Sequence, residues 1–197
     1  MILKQDKLPE NWKVKRLDEV AEIIMGQSPP SNTYNTDGRG LPFFQGKAEF
    51  GELYPTATKY CTAPKKLAEK NDILLSVRAP VGPVNIANSD CCIGRGLAAI
   101  RANRELLNYK FLYLYMKLIE GDISGKGRGS TFTAIRGKVV KAIQIPLPPL
   151  ETQNKLVKKL DSFFEDYNKI KEEQKEIGDI IKALPYSVLA KAFNGEL

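Results

Sequence analysis

The sequence has no histidine, and this absence removes several kinds of active site. A Ser–His–Asp triad and a metal site with imidazole ligands are both excluded. Cysteine is scarce as well: Cys61 and the adjacent pair Cys91 and Cys92 show no CxxC spacing. They provide neither a disulfide framework nor a good zinc site, so we expect three reduced, mostly buried thiols.

Long apolar runs are also missing. No stretch of about 18 apolar residues occurs, and the N-terminal sequence MILKQDKLPENW lacks the apolar region of a signal peptide. The sequence therefore predicts a cytoplasmic protein without membrane contact.

Three short stretches resemble motifs of nucleotide-binding and methyl-transfer enzymes, but each lacks a residue that the full motif requires. The GRGLAA of residues 94–99 matches GxGxxA, but it lies in a strand-like stretch with no acidic residue about 20 positions further on. The glycine–lysine pair within residues 121–127 has no serine or threonine after the lysine, which excludes a Walker A loop. The SPPS of residues 28–31 lacks the aromatic residue of the amino-methyltransferase motif and is interpreted as a turn. We expect no catalytic residue, metal site or cofactor in this chain.

Positive charge is concentrated in the first three quarters of the chain. The formal net charge is +7; residues 1–150 carry 22 Lys and Arg against 14 Asp and Glu, whereas residues 151–197 carry 8 against 9. Residues 123–150 include basic residues and no acidic one. This excess favours binding of a polyanion, most simply nucleic acid.

Apolar patterning predicts a mixed α/β region followed by a long helix. Residues 12–24 are expected to be extended at first and then to form a short helix or turn. Further strands are predicted at residues 41–44, 72–78, 84–87, 93–101 and 138–145, and a helix at residues 105–119. The fold class is therefore α+β, with a globular domain at 1–150 and a helix with a short closing segment at 151–197.

A heptad repeat runs through the long helix. Its positions alternate at spacings of four and three residues: Leu156, Leu160, Phe163, Tyr167, Ile170, Gln174, Ile177, Ile181 and Leu184. This period keeps the apolar seam on one side only when the helix supercoils with a partner, so we expect a coiled coil. Gln174 either fixes the register with another polar group or is a tolerated polar position that faces solvent.

Four stretches resemble the specificity subunit of type I restriction-modification systems. They are LPENWKVKRLDEVAEIIMGQSP at residues 8–29, NDILLSVRAPVGPVNIA at 71–87 with CIGRGLAAIR at 92–101, GSTFTAIRGKVVKAIQIPLPPLETQNKLV at 129–157, and LPYSVLAKAFNGEL at 184–197. The sequence IPLPPLETQ, which leads into the heptad helix, is the strongest of these markers. In that family a target recognition domain reads DNA and a long helix sets the distance to a second such domain.

The resemblance implies a DNA-specificity role without catalysis. The usual family member repeats the recognition domain and helix, whereas this sequence contains one copy and resembles a half-sized subunit. Two copies are expected to pair their helices in antiparallel fashion and to recognise a bipartite palindrome in double-stranded DNA. The helix Gln153–Leu184 would be a spacer of about 48 Å. Further expected partners are modification subunits, which use S-adenosylmethionine to methylate adenine, and, where present, an ATP-dependent restriction subunit.

Candidate DNA-binding residues lie in the predicted loops and turns. Those expected to reach bases are Gln27, Ser28, Tyr34, Gln45 and Lys47. Arg78 and Arg95 lie beside turns, where each either reaches a groove edge or phosphate, or satisfies carbonyl groups of the turn. The candidates for DNA-backbone binding are Lys126, Arg128, Ser130 and Thr131. The alternative interpretation of their glycine-rich segment is a flexible linker with solvated charges.

Other functions stay open from the residues alone. A recognition domain detached from a single-chain restriction-methylation enzyme would need a separate catalytic partner and a one-sided site. A coiled-coil adaptor whose basic surface binds RNA or protein would show no preference among DNA duplexes. Pairing with a different half-subunit is the alternative to a homodimer.

Overall fold

The computed structural model describes residues 8–125 and 133–194. The chain divides into two compact units, residues 1–154 and residues 155–197. Within the described residues, every strand belongs to the first unit. The functional boundary between residues 150 and 151 stays a prediction.

The elements alternate between short strands and short helices until the last helix begins. The strands are β1 Lys13–Arg16, β2 Ala21–Met25, β3 Tyr34–Asn35, β4 Leu41–Phe44, β5 Tyr60–Cys61, β6 Leu67–Ala68, β7 Ile73–Ser76, β8 Val84–Ile86, β9 Cys91–Ile93, β10 Leu97–Ala102 and β11 Gln144–Leu147. The α-helices are α1 Leu17–Val20, α2 Tyr109–Leu118, α3 Glu120–Ile123, α4 Gly137–Lys141 and α5 Leu150–Phe193. Two short 3-10 helices cover Ser31–Thr33 and Lys47–Glu49.

The strands of the described residues form three sheets. The order β2-β10-β7-β8 is antiparallel throughout, and β1 pairs with β11 in a separate antiparallel pair. In the order β3-β5-β4-β9-β6, the pair β4 and β9 is parallel. The apolar runs of β7 and β10 are buried on both faces, which is why they show little alternation in the sequence.

The core contains all three cysteines. Cys61, Cys91 and Cys92 are free and buried, so their predicted burial is confirmed. Burial raises the pKa of Cys91 and of Cys92 to about 12. Both side chains are therefore neutral thiols that pack as small apolar groups.

A partly buried ion pair joins the start of β7 to β10. The guanidinium of Arg101 donates to both carboxylate oxygens of Asp72 at 3.1 and 3.0 Å, and it also lies 2.9 Å from a carboxylate oxygen of Glu69. Asp72 is only 3% exposed, and these hydrogen bonds raise the pKa of Arg101. The forked geometry satisfies a carboxylate that would otherwise be costly to bury.

Gln153 connects the first turn of α5 to the start of α2 within the first unit. Its side-chain oxygen accepts from the amide of Asn108 at 2.9 Å, and its nitrogen donates to the carbonyl oxygens of Leu106 and Pro148 at 2.9 and 2.8 Å. Gln153 is fully buried, so these bonds replace the water that its amide loses. The glutamine of LETQ is thus a structural residue.

The predicted fold class is confirmed, but some elements differ from the prediction. The strand predicted at residues 138–145 is wrong in its first half, because α4 occupies Gly137–Lys141 and β11 starts at Gln144. Val140 is fully buried while both of its neighbours are exposed, and the two valines gave this segment a misleading strand-like composition. Strand β2 lies where a short helix or turn is predicted, directly after the four-residue α1.

Helix boundaries also differ. The helix predicted to begin at residue 105 begins at Tyr109, because the side chain of Asn108 accepts from the amides of Lys110 and Phe111 and caps the helix there. Helix α5, Leu150–Phe193, extends beyond both ends of the predicted spacer Gln153–Leu184. No helix in residues 8–125 and 133–194 has the length and apolar character that a membrane crossing requires.

Replacing Gln153 by leucine should lower the free energy of unfolding by about 2 kcal/mol, because one amide and two carbonyl groups lose their partner. Urea unfolding at fixed chain concentration measures this change. Asn154→Ala is the control, since it removes only an exposed contact to the side chain of Asn108. Equal stability of the two variants would show that the buried glutamine is not needed at this junction.

Candidate nucleic-acid interface

Polar and basic residues from distant parts of the chain line one cavity of about 190 Å³. The predicted residues among them are Ser28, Gln45, Lys47, Arg78 and Arg95. This basic cavity is completed by Gly46, Ser76, Ala79 and Gly96. It lies where the segments after β2, after β4 and at the end of β7 meet the turn between β9 and β10. Five of the predicted residues are therefore neighbours in space.

The other predicted residues lie elsewhere or outside the described part. Tyr34 is half-buried, its ring is 4.6 Å from that of Phe43, and its hydroxyl donates to the carbonyl oxygen of Pro29 at 2.7 Å. Burial raises the pKa of Tyr34, and the ring is a packing element. Gln27 is exposed and does not line the basic cavity. The candidates that fall outside the described residues are Lys126, Arg128, Ser130 and Thr131.

Glycines allow the segments around the basic cavity to approach each other. A Cβ on Gly96 would collide with the carbonyl oxygen of Gln45, and a Cβ on Gly26 would collide with that of Gly94. The amide of Gly94 donates to the carbonyl oxygen of Phe44 at 2.8 Å across the same contact. The GRG sequence thus provides close backbone packing instead of a nucleotide site.

Backbone hydrogen bonds fix Arg95 in this packing. Its amide donates to the hydroxyl oxygen of Ser28 at 3.3 Å, and the following carbonyl, that of Gly96, accepts from Val77 at 2.9 Å. Both glycines that flank Arg95 are buried, whereas Arg95 itself is exposed. Its side chain is consequently the part of this turn that is available to a ligand.

Ser76 fixes the backbone next to Arg78. Its hydroxyl contacts the carbonyl oxygens of Arg78 and Pro80 at 3.0 and 2.9 Å. The amide of Ala79 donates to Thr133, so the strand-like pairing continues beyond β7. Sequence reasoning missed Ser76 because its role depends on a turn that brings two carbonyl groups to one hydroxyl. The close backbone packing at Gly96 could have been predicted from the GRG sequence, because glycine permits such an approach.

The basic cavity carries uncompensated positive charge. Lys47, Arg78 and Arg95 are exposed, and in the parts of the chain that the structure describes none of them forms a salt bridge. The carboxylate nearest in sequence to Lys47 is that of Glu49. It accepts instead from the amides of Gln45 and Gly46 at 3.4 and 3.1 Å. Cations held on a rigid frame without partners are typical of surfaces that bind nucleic acid.

The second unit presents a different surface. Apart from the half-buried Leu156, the apolar heptad residues of α5 are exposed, including Phe163 at 61%, Ile170 at 55% and Ile181 at 64%. Large apolar side chains in a continuous row are typical of an interaction surface, and the heptad spacing suits another helix.

Comparison with known proteins places these features in a family. The model of the type I restriction modification DNA specificity domain matches residues 9–178. A specificity subunit designated MjaX, from Methanocaldococcus jannaschii, is 48% identical over 172 residues, which cover 86% of this chain and 40% of that protein. The EcoDI specificity subunit of Escherichia coli is 27% identical over 97% of this chain and 40% of its own length.

Solved structures show the same fold. The HsdS subunit from Thermoanaerobacter tengcongensis is 47% identical, with a TM-score of 0.83, over 99% of this chain and 48% of that chain. A chain from a structure of a type I R-M system has a TM-score of 0.87 and covers 99% of this chain and 49% of its own. The present chain therefore spans less than half the length of these relatives.

Replacing Gly96 by alanine should lower the free energy of unfolding by about 1–3 kcal/mol, because the new Cβ must displace the backbone of Gln45. Gly46→Ala is the matched control in the same cavity: Gly46 has an extended φ of −176°, and a Cβ there would meet no atom within 4 Å apart from those of Gly46 and its chain neighbours. Urea unfolding compares the two variants. If Gly96→Ala is as stable as Gly46→Ala, the close approach does not constrain the fold.

Proposed function

Because this chain belongs to the type I restriction modification DNA specificity family, we propose that it is the DNA sequence-specificity subunit of a type I restriction-modification complex. The observation that carries this proposal is the convergence of Ser28, Gln45, Lys47, Arg78 and Arg95 on one cavity. The chain determines which DNA sequence is bound and contributes no catalytic group. Duplex DNA binds the first unit, and the basic cavity faces the DNA.

Charge supports this assignment of the two units. Residues 1–150 carry 22 basic against 14 acidic residues, while residues 151–197 are close to neutral. A protein gains affinity for DNA when cations displace the counterions that are condensed on the phosphates. The first unit fits such a ligand, and the second fits a neutral apolar partner.

The second copy of this chain is the partner proposed for the heptad seam. Two α5 helices pair in antiparallel fashion, bury their apolar residues against each other and place one first unit at each end. The resulting two-fold symmetry predicts a bipartite palindromic DNA site. Gln174 is the single polar residue of the seam and pairs with a polar group across the interface, which fixes the register.

Modification subunits complete the proposed complex. They bind S-adenosylmethionine and methylate adenine in the site that this chain selects, and a restriction subunit, where present, uses ATP. The spacing between the two half-sites follows from the helix: α5 has 44 residues, a length of about 66 Å. The part of α5 that carries the heptad ends at Leu184, directly before Pro185, and this part is the proposed ruler between the two recognition units.

Ile170→Glu should weaken self-association by roughly 100-fold or more, because a carboxylate would be buried twice in the symmetric interface. Ile170 is 55% exposed in the single chain, so the substitution leaves the fold of each chain intact. Sedimentation over a concentration series measures the dissociation constant. Lys175→Glu, which changes the charge outside the seam, is the control and should associate like the unchanged protein.

The proposal as a whole is tested by a base-resolution methylation map after co-expression with the modification subunit. We expect adenine methylation within a bipartite palindrome. Deleting residues 164–170, one heptad, should shorten the gap between half-sites by about three base pairs, since each helix loses about 10 Å. An asymmetric site would indicate pairing with a different half-subunit, a one-sided site would indicate a detached recognition domain, and an unchanged gap would contradict the ruler.

A further inference from the structure

We propose that Arg95 reads a guanine base in the major groove, so that each half-site contains at least one G·C pair recognised by this side chain. This inference rests on the proposed function and names the base chemistry of the basic cavity. The juxtaposition that carries it is an exposed guanidinium that projects from a rigid turn beside the cavity.

The first step is the rigid placement of Arg95. Its amide is held by Ser28, and its two glycine neighbours pack against the backbone of Gln45 and of Gly26. Base recognition requires that a side chain start from a defined position, because a small displacement breaks a two-bond contact. Neither glycine carries a side chain, so nothing adjacent in the chain competes for the same space.

The second step concerns the donors of Arg95. A guanidinium presents a planar fork of N–H donors and no acceptor. Among the described residues, no carboxylate forms a salt bridge with Arg95. Guanine O6 and N7 form the pair of acceptors that matches this fork, and arginine to guanine is the commonest specific contact in the major groove.

The third step distinguishes a base from a phosphate. Phosphate sites usually offer free backbone amides, but here the amides of Gly94 and Arg95 already donate to Phe44 and Ser28. The amides of Gln45 and Gly46 donate to the carboxylate of Glu49 and are likewise not free to bind a phosphate. A neutral acceptor pair therefore fits Arg95 better than a phosphate dianion or diester in the same place.

Lys47 provides the contrast within the same cavity. It is exposed and carries a point charge on a flexible stem, which suits a phosphate without selecting a base. Loss of Lys47 should weaken binding to all duplexes alike. Loss of the Arg95 fork should instead change which base is accepted at one position of each half-site.

The test uses the full chain and a pool of randomised duplex DNA, from which bound duplexes are selected and sequenced. Arg95→Lys keeps the charge but loses the fork, so the preference for guanine at one position should fall roughly tenfold or more, while the salt dependence of binding is kept. Lys47→Ala should keep the selected sequence and lower the salt dependence. Arg16→Lys is the matched control, because that fork is already bound to Asp18.

The outcomes separate this inference from the proposed function. If the unchanged chain selects no sequence, the proposed function itself fails. If it selects a sequence without guanine, or if Arg95→Lys keeps every base preference, only the role of Arg95 is overturned. Circular dichroism of each variant establishes that the chain is folded before the selection is made.

Discussion

The close approach of the segments after β2 and after β4 to the turn at residues 94–96 is the constraint on which the rest of the first unit depends. A Cβ on Gly26 would collide with the carbonyl oxygen of Gly94, and a Cβ on Gly96 would collide with that of Gln45. A Cβ on Gly94 would lie 3.3 Å from atoms of Gln45, Phe43 and Ser28, which leaves little room for a larger residue. Hydrogen bonds then cross the contact, from Gly26 to Leu97 at 2.9 Å and from Gly94 to Phe44 at 2.8 Å. These two bonds continue the pairs β2–β10 and β4–β9, each within its own sheet. The amide of Gln27 donates to the carbonyl oxygen of Ile93 at 3.0 Å and connects the two sheets, so the basic cavity forms where they meet.

The second constraint is the buried amide of Gln153. It satisfies three backbone groups at the start of α2 and before α5, and so it joins the first turn of the long helix to the first unit. The spacer role proposed for α5 requires that the helix begin at a defined residue, because the distance would otherwise vary. One buried side chain thus fixes the start of α5.

Local signals account for the elements that the sequence predicts well. The apolar runs at residues 73–76 and 84–86 are separated by prolines and a glycine, and the heptad of α5 extends over many turns. The segment 137–141 is short, and its two valines favour a strand by composition. In the folded chain it is a helix, with Val140 buried and Val139 exposed. The roles of Ser76 and Gln153 depend on carbonyl groups that are distant in sequence, which no local pattern encodes. For Arg78 and for Arg95 the sequence left two alternatives, contact with DNA or a structural role in the turn. The cavity that they share forms only when the sheets are assembled, so no local pattern predicts it.

The packing of the backbone and the proposed recognition of DNA depend on different residues around the basic cavity. Gly94, Gly96 and Ser76 are buried and hold the backbone, whereas Arg78, Arg95 and Lys47 are exposed and stabilise no ion pair in the described part of the chain. Substituting an exposed side chain usually changes stability by less than about 0.5 kcal/mol, while substituting a buried one costs several times more. The exposed set can therefore be substituted without loss of the fold, as a set of proposed base readers would require. A frame of small buried residues with replaceable polar side chains at its rim is what a recognition unit requires if many DNA sequences are to be read by one architecture.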